Sequence, residues 1–191
     1  MLHSSVITGK CTASPFKIVM GLFDSLYPDE YLESAYDVDY EGWYKKGKRA
    51  VIFDIDNTLV RHGAPADDRS KALFERLSKI GYRCMVLSNN TKTRVKSFAE
   101  EAHADLKYIH MANKPFKSGY LKALDMLGVS ASEALFVGDQ IFTDVIGARN
   151  AGIYSILIEP INKKESFQVV LKRNLENVVL KFYKKQKDDS R

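Results

Sequence analysis

Short, dense apolar runs alternate along the chain with longer segments whose apolar residues recur at helical spacing. Residues 50–53, 84–87 and 134–137 each read as a strand buried on both faces, with 107–110 and 154–158 as weaker members of the series. Between them the spacing predicts helices over about 68–80, 91–103, 116–127 and 141–151. Gly81, Gly128 and Gly152 each stand just past one of these, where a helix C-terminus favours glycine. Strands alternating with helices imply an α/β fold of three layers, a mostly parallel sheet with helices on both faces.

Ligands of such a sheet bind outside the carboxyl ends of its strands. The residues that follow the strands are Asp54, Asp56, Asn57 and Thr58, then Ser88 and Asn89, then Lys114 and Pro115, then Gly138, Asp139 and Asp144. Asp54 and Asp56, two residues apart as a strand ends, send their carboxylates to the same side. Two carboxylates so close repel unless a cation or a proton relieves them. Asp139 supplies a further hard oxygen ligand from another strand, and this set suits Mg2+, which takes few carboxylates plus water and substrate phosphate.

Phosphoryl transfer fits the same residues. Asp54 can attack phosphorus and form an aspartyl-phosphate. Asp56 can give a proton to the leaving oxygen and take one from the hydrolytic water. Ser88 and Lys114 can hold the phosphoryl oxygens. Asp144 can orient metal-bound water or Lys114 from behind, or be an ordinary helix residue. Asn89 either touches substrate or closes its loop, and Thr58 shapes the turn after the first strand through a side-chain bond to backbone. Pro115, read as the first helical residue, puts Lys114 at a helix entrance. His62 and His110 have no partner at metal-ligand spacing, and Cys84 reads as inert packing in a strand.

Val51-Ile52-Phe53-Asp54-Ile55-Asp56-Asn57-Thr58 resembles the first motif of the haloacid dehalogenase (HAD) superfamily of phosphatases. Leu87-Ser88-Asn89-Asn90 resembles its second, Lys114-Pro115 its third, and Gly138-Asp139 with Thr143-Asp144 its fourth, all in order. The resemblance implies a Rossmann-like HAD fold, Asp54 as nucleophile, Asp56 as general acid and base, and phosphate bound by Ser88, Asn89 and Lys114. It further implies Mg2+ held by Asp54, Asp139 and the backbone carbonyl of Asp56, with Thr58 and Asp144 behind them. Tyr27-Pro28 with its acidic neighbours, Arg94-Val95 and Asp139-Gln140 extend the similarity to the YqeG family, which is similar to phosphatases of phosphatidylglycerophosphate. The segment Arg61-His62-Gly63-Ala64-Pro65 departs from the acidic or aromatic residues of the family pattern. A lipid substrate is thus an expectation from resemblance. Phosphatases of protein, nucleotide or small soluble phosphomonoesters are the enzymatic alternative, and a binding scaffold the non-enzymatic one. About ten residues separate Thr58 from the next helix, and a handful separate the third strand from Lys114, too few for a cap domain. An uncapped site suits a phosphate at the tip of a bulky molecule, or coverage by an oligomer partner.

Composition changes this picture only in its setting. The 191 residues are 45% hydrophobic and 28% charged, in the globular range. Two cysteines make no disulfide framework, which fits a reduced, cytoplasmic setting. No run reaches the roughly 20 apolar residues of a membrane-spanning helix, and the first residues do not make a signal peptide. The formal charge of +5 has one source. Residues 163–191 hold nine basic and four acidic side chains, and the rest of the chain is balanced. Seven acidic residues lie between Asp24 and Glu41 with no basic one among them. The expected organisation is a tail with a short apolar segment (1–26), the phosphatase domain with its acidic N-terminal extension (27–162), and a basic amphipathic C-terminal helix and tail (163–191). That helix either docks on the sheet or lies on an anionic membrane at the inner face. No nucleic-acid recognition module is present, so nucleic acid is not an expected partner.

Overall fold

The computed structural model describes residues 26–162, so the expected segment 1–26, apart from its last residue, and the expected segment 163–191 lie outside the described residues. Six strands form one sheet: β1 (Glu30–Leu32), β2 (Ala50–Phe53), β3 (Arg83–Leu87), β4 (Lys107–Ile109), β5 (Ala134–Gly138) and β6 (Tyr154–Ile158). Their order is β1-β6-β5-β2-β3-β4, and each neighbouring pair is parallel. The helices are α1 (Tyr40–Lys45), α2 (Asp68–Ile80), α3 (Lys92–Ala102), α4 (Lys117–Leu127) and α5 (Ile146–Asn150).

Strand alternation divides the core in two. Val51, Phe53, Val86, Leu135, Val137, Ile156 and Ile158 face α2 and α3, burying Leu73, Phe74, Leu77, Val95 and Phe98. Ala50, Ile52, Met85, Leu87, Ala134 and Phe136 face the other way, onto Tyr120, Ala123, Leu124, Leu127 and Ala148 of α4 and α5. This is the three-layer α/β arrangement expected from the pattern.

Local chemistry sets the helix ends. The α2 N-cap, Asp67, accepts from the backbone N–H of Ser70 at 2.7 Å, while the Ser70 hydroxyl oxygen accepts from Asp67 N–H at 3.0 Å. The helix stops at Gly81, whose φ of 103° belongs to the left-handed region that glycine enters without steric cost. The expected 68–80 helix therefore has the bounds read from the sequence.

Two elements lie where the sequence pattern gave only an acidic extension. β1 pairs with β6 through three residues, and α1 packs Tyr40 into the core, its hydroxyl donating to the Ala35 carbonyl at 2.7 Å. Asp29 fastens β1: its carboxylate accepts from Ser155 N–H and Ser155 Oγ, both at 2.8 Å, and from Arg149 at 2.9 Å. Part of the acidic extension is thus the sixth strand of the sheet. Burial pushes the Cys84 thiol up to about 12, which agrees with the packing role read for it.

Candidate active site

The chain runs from β2 outward through β3 to β4, then returns to β5 on the other side of β2. The switch between β2 and β5 opens a crevice at their carboxyl ends, the place where such sheets bind ligands. Asp54 follows β2 and Asp139 follows β5, so the topology brings them together. Asp54, Asp56, Ser88, Lys114, Asp139 and Asp144 are all buried, each below one-tenth exposed.

Lys114 ties two of the carboxylates together. Its ammonium donates to Asp54 Oδ1 at 2.6 Å and to Asp144 Oδ1 at 2.7 Å. Burial opposes the charge on Lys114, but attraction to Asp144 and Asp54 outweighs it and raises the ammonium above its ordinary value. Asp54 is pushed up to about 6, first by desolvation; the pull of Lys114 is partly offset by repulsion from Asp144 and Asp56. The two shifts have one origin, since a single ammonium serves two buried carboxylates.

Asp54, Asp139 and Asp144 each present a carboxylate oxygen, all within 4.8 Å of one another. Three ionised carboxylates and one ammonium leave a formal excess of two negative charges, which complements a divalent cation. Hard oxygen donors on two adjacent strands suit Mg2+. The residues fit that ion.

Asp144 is held from both sides. Its Oδ2 accepts from the Gln140 N–H at 3.0 Å while Oδ1 takes Lys114. The expected 141–151 helix is in fact a wide π turn over Ile141–Val145 followed by α5. Such one-turn π segments recur at functional sites, and this one carries Asp144, at 1% exposed, inside. Gly138 makes room for it. A Cβ there would stand 2.5 Å from Asp144 Oδ2 and 2.6 Å from its Cγ. Gly138→Ala is expected to displace Asp144 from Lys114 and lower turnover about 10–100-fold with the sheet intact; circular dichroism and steady-state kinetics check this, and wild-type kcat would contradict it.

Asp56 sits in a separate cage. Its Oδ1 accepts from Gly63 N–H at 2.8 Å and from Arg94 at 2.9 Å, and its Oδ2 accepts a short bond from Asn90 Nδ2. Arg94 and Asn90 stand in the sequence as parts of the family resemblance, and the structure gives both a contact with Asp56. Their signal was position: both lie within the turn and first helical residues after β3, at the same edge as Ser88.

Three expectations are refined. Asn89, assigned to phosphate, puts both ends of its amide on Lys114: Oδ1 accepts from Lys114 N–H at 2.8 Å and Nδ2 donates to Lys114 O at 3.1 Å. This is the loop-closing alternative, and it places the lysine. Thr58 Oγ1 is buried without a hydrogen bond, contrary to the side-chain bond expected of it. The turn is closed instead by backbone, the N–H groups of Thr58, Leu59 and Val60 converging on Ile55 O at 3.3, 2.9 and 3.3 Å. Pro115 is not the first helical residue. The Lys114–Pro115 peptide is cis, Phe116 is the N-cap and α4 begins at Lys117. Ser88 Oγ accepts from Asn90 N–H and Nδ2, each at 3.3 Å, and so closes its own turn at the site.

Comparison with known proteins agrees with this geometry. A family model described as haloacid dehalogenase-like hydrolase matches residues 62–152, starting just after Asp54 and Asp56. "Probable phosphatase YqeG" of Bacillus subtilis is 29% identical over 160 residues, covering 83% of this chain and 92% of that protein. "Phosphatidylglycerophosphate phosphatase 1, chloroplastic/mitochondrial" of Arabidopsis thaliana is 30% identical over 161 residues, covering 75% of this chain. "Glyceraldehyde 3-phosphate phosphatase" of Pyrococcus abyssi is 26% identical over 136 residues, covering 66% of this chain. The chain spans 44% and 55% of the latter two proteins' lengths. With the parallel sheet, the switch-point carboxylates and this match in hand, the chain carries a haloacid dehalogenase-like hydrolase domain.

Proposed function

We propose that the domain hydrolyses phosphomonoesters through Asp54, and that the physiological substrate is a phosphatidylglycerophosphate-like lipid. The observation that carries the catalytic reading is Lys114 bridging Asp54 and Asp144 beside Asp139 at the β2–β5 switch. Asp54, oriented by Lys114, attacks phosphorus through its other oxygen. The bond from phosphorus to the substrate's alcohol oxygen breaks, and Asp56 delivers a proton to that oxygen. Asp56 then takes a proton from the water that attacks the aspartyl-phosphate, releasing phosphate and restoring Asp54. Lys114 and Ser88 hold the phosphoryl oxygens, and Asn89 keeps the Lys114 backbone in register. Asp54, Asp139 and the backbone carbonyl of Asp56 would hold Mg2+, with Asp144 and Thr58 behind them, and the bound ion would supply charge neutralisation for the phosphoryl group.

Arg94 and Asn90 hold the Asp56 carboxylate in one orientation. Arg94→Gln is expected to lower kcat about 10–100-fold while leaving KM for a small phosphomonoester nearly unchanged. A kcat at the wild-type level would mean that Gly63 and Asn90 orient Asp56 unaided.

The lipid reading draws on the relative named for phosphatidylglycerophosphate and on the short segments around the site: 54–67 before α2 and 110–116 before α4. The relative named for glyceraldehyde 3-phosphate favours a second reading, a small soluble phosphomonoester. Among the described residues no helix is long and apolar enough to cross a membrane. A cytoplasmic enzyme meeting its lipid at the inner face is the setting we infer. The test is turnover of a chromogenic phosphomonoester with Mg2+ and with EDTA, beside phosphatidylglycerophosphate in mixed micelles. Metal-dependent turnover with preference for the lipid is expected. No turnover of any phosphomonoester overturns the reaction, and preference for soluble esters overturns the lipid.

A further inference from the structure

The large apolar side chains exposed among the described residues are Met111 (70%), Phe116 (65%), Leu121 (46%) and Ile161 (44%). Single exposed apolar residues are ordinary, but these are not scattered. Met111 and Phe116 belong to the one loop between β4 and α4 that also carries Lys114, three and two residues from it. Leu121 is one turn into α4, and Ile161 follows β6 with its N–H on the Asn57 carbonyl at 3.0 Å.

The loop is pinned. Met111 N–H donates to Asn90 O, Ala112 N–H to Ser88 O, both at 3.0 Å, and Phe116 N–H to Asn113 O at 2.9 Å. Met111 and Asn113 are held at φ of 45° and 55°, a region that non-glycine residues rarely enter. The backbone that sets Lys114 on Asp54 therefore also fixes two apolar side chains in solvent beside it.

The two loops that carry Ser88 and Lys114, with the helix starts that follow them, bear side-chain charge of one sign. Residues 88–99 and 106–124, which supply the loops after β3 and β4 and the start of α3 and α4, contain no Asp or Glu. They contribute exposed Lys92 and Lys117, the first residues of α3 and α4, and exposed Lys122 midway along α4. Exposed apolar residues set among lysines fit an anionic lipid surface: the rings and thioether enter the boundary of headgroups and acyl chains, and the ammonium groups stay with the phosphates.

We propose that the β4–α4 loop is a membrane-docking surface, in which Met111 and Phe116 enter an anionic lipid leaflet while Lys92, Lys117 and Lys122 contact its headgroups. The proposal deepens the lipid-phosphatase reading and rests on it for its purpose. A docked loop would bring a headgroup phosphate to Lys114 without pulling the lipid out of the bilayer.

The test uses the full chain and vesicles of phosphatidylcholine with or without phosphatidylglycerol. Wild type is expected to bind the anionic vesicles at least about tenfold more tightly than the neutral ones. The double variant Met111→Ser, Phe116→Ser should lose about tenfold of that binding while its turnover of a chromogenic phosphomonoester stays within about twofold. Phe116→Trp adds a second tryptophan to Trp43, and brominated acyl chains should quench the added emission about twofold or more. Equal binding of neutral and anionic vesicles, an unquenched added tryptophan, or full vesicle binding by the double variant overturns the proposal, the last two assigning binding to another part of the chain. A lower gel-filtration mass for the double variant, with vesicle binding unchanged, overturns it in favour of a contact between copies. Absence of turnover in wild type would sink the phosphatase reading by itself, and vesicle binding and quenching would still decide the docking surface.

Discussion

Lys114→Met is expected to destabilise the domain by about 3–5 kcal/mol, because it leaves Asp54 and Asp144 buried without the ammonium that both contact. For a domain of this size that is a fall in Tm on the order of 10 °C. Side-chain volume is nearly kept, so the loss is electrostatic. Mg2+ should recover part of it by binding the folded state alone, and the recovery should grow with the logarithm of ion concentration. Thermal and urea unfolding in EDTA and in Mg2+ measure both effects. A variant as stable in EDTA as the parent would show that the carboxylates simply take up protons at no cost. The parent has a related pH signature in EDTA. Asp54 titrates near 6 when folded against an ordinary 3.8, so the folded state holds its proton more tightly. The resulting stability is present below about pH 4 and lost as pH rises through about 6.

Asp54→Asn should lower kcat by at least about 10^4-fold on any phosphomonoester, since an amide cannot form the acyl-phosphate. The fold should survive. Asparagine keeps the shape and an oxygen acceptor for Lys114, and Lys114 keeps Asp144 at 2.7 Å. Pre-steady-state kinetics on the parent should show a burst of released alcohol where phosphoenzyme hydrolysis is the slow step, with no burst in the variant. Residual kcat within about tenfold of the parent would remove Asp54 from the nucleophile's place.

The strands and helices that form the site were legible because each obeys a local rule. The 50–53 run is apolar at every position and buried on both faces, and 68–80 has both a cap and a terminating glycine. Site residues were legible for a topological reason: in a parallel sheet, whatever follows a strand lies at the ligand edge. β1 was hidden because three half-buried residues, Glu30, Tyr31 and Leu32, carry no periodic signal and gain strand character only from β6. The wide turn at Ile141–Val145 was hidden too, since its composition is that of a helix and its geometry answers to Lys114 and Gln140. The side-chain roles of Asn89, Asn90 and Arg94 depend on which partner lies 25 to 38 residues away, a distance along the chain that no local pattern encodes.

The Asp29 latch has a practical consequence for cutting this molecule into pieces. The family-model match spans 62–152, and a fragment with those ends would lack β1, β2 and β6, and Asp54 and Asp56 with them. A start at residue 50 would restore β2, and an end past Ile158 would restore β6, but β6 would then become the sheet's edge. Tyr-Ser-Ile-Leu-Ile would present an open row of backbone donors and acceptors to the next molecule, a template for strand pairing between chains. In the whole chain three residues and one carboxylate cover that row. Fragments that begin after residue 33 should therefore aggregate where fragments that begin before Asp29 stay dispersed. A strand of three residues thus guards this edge of the sheet.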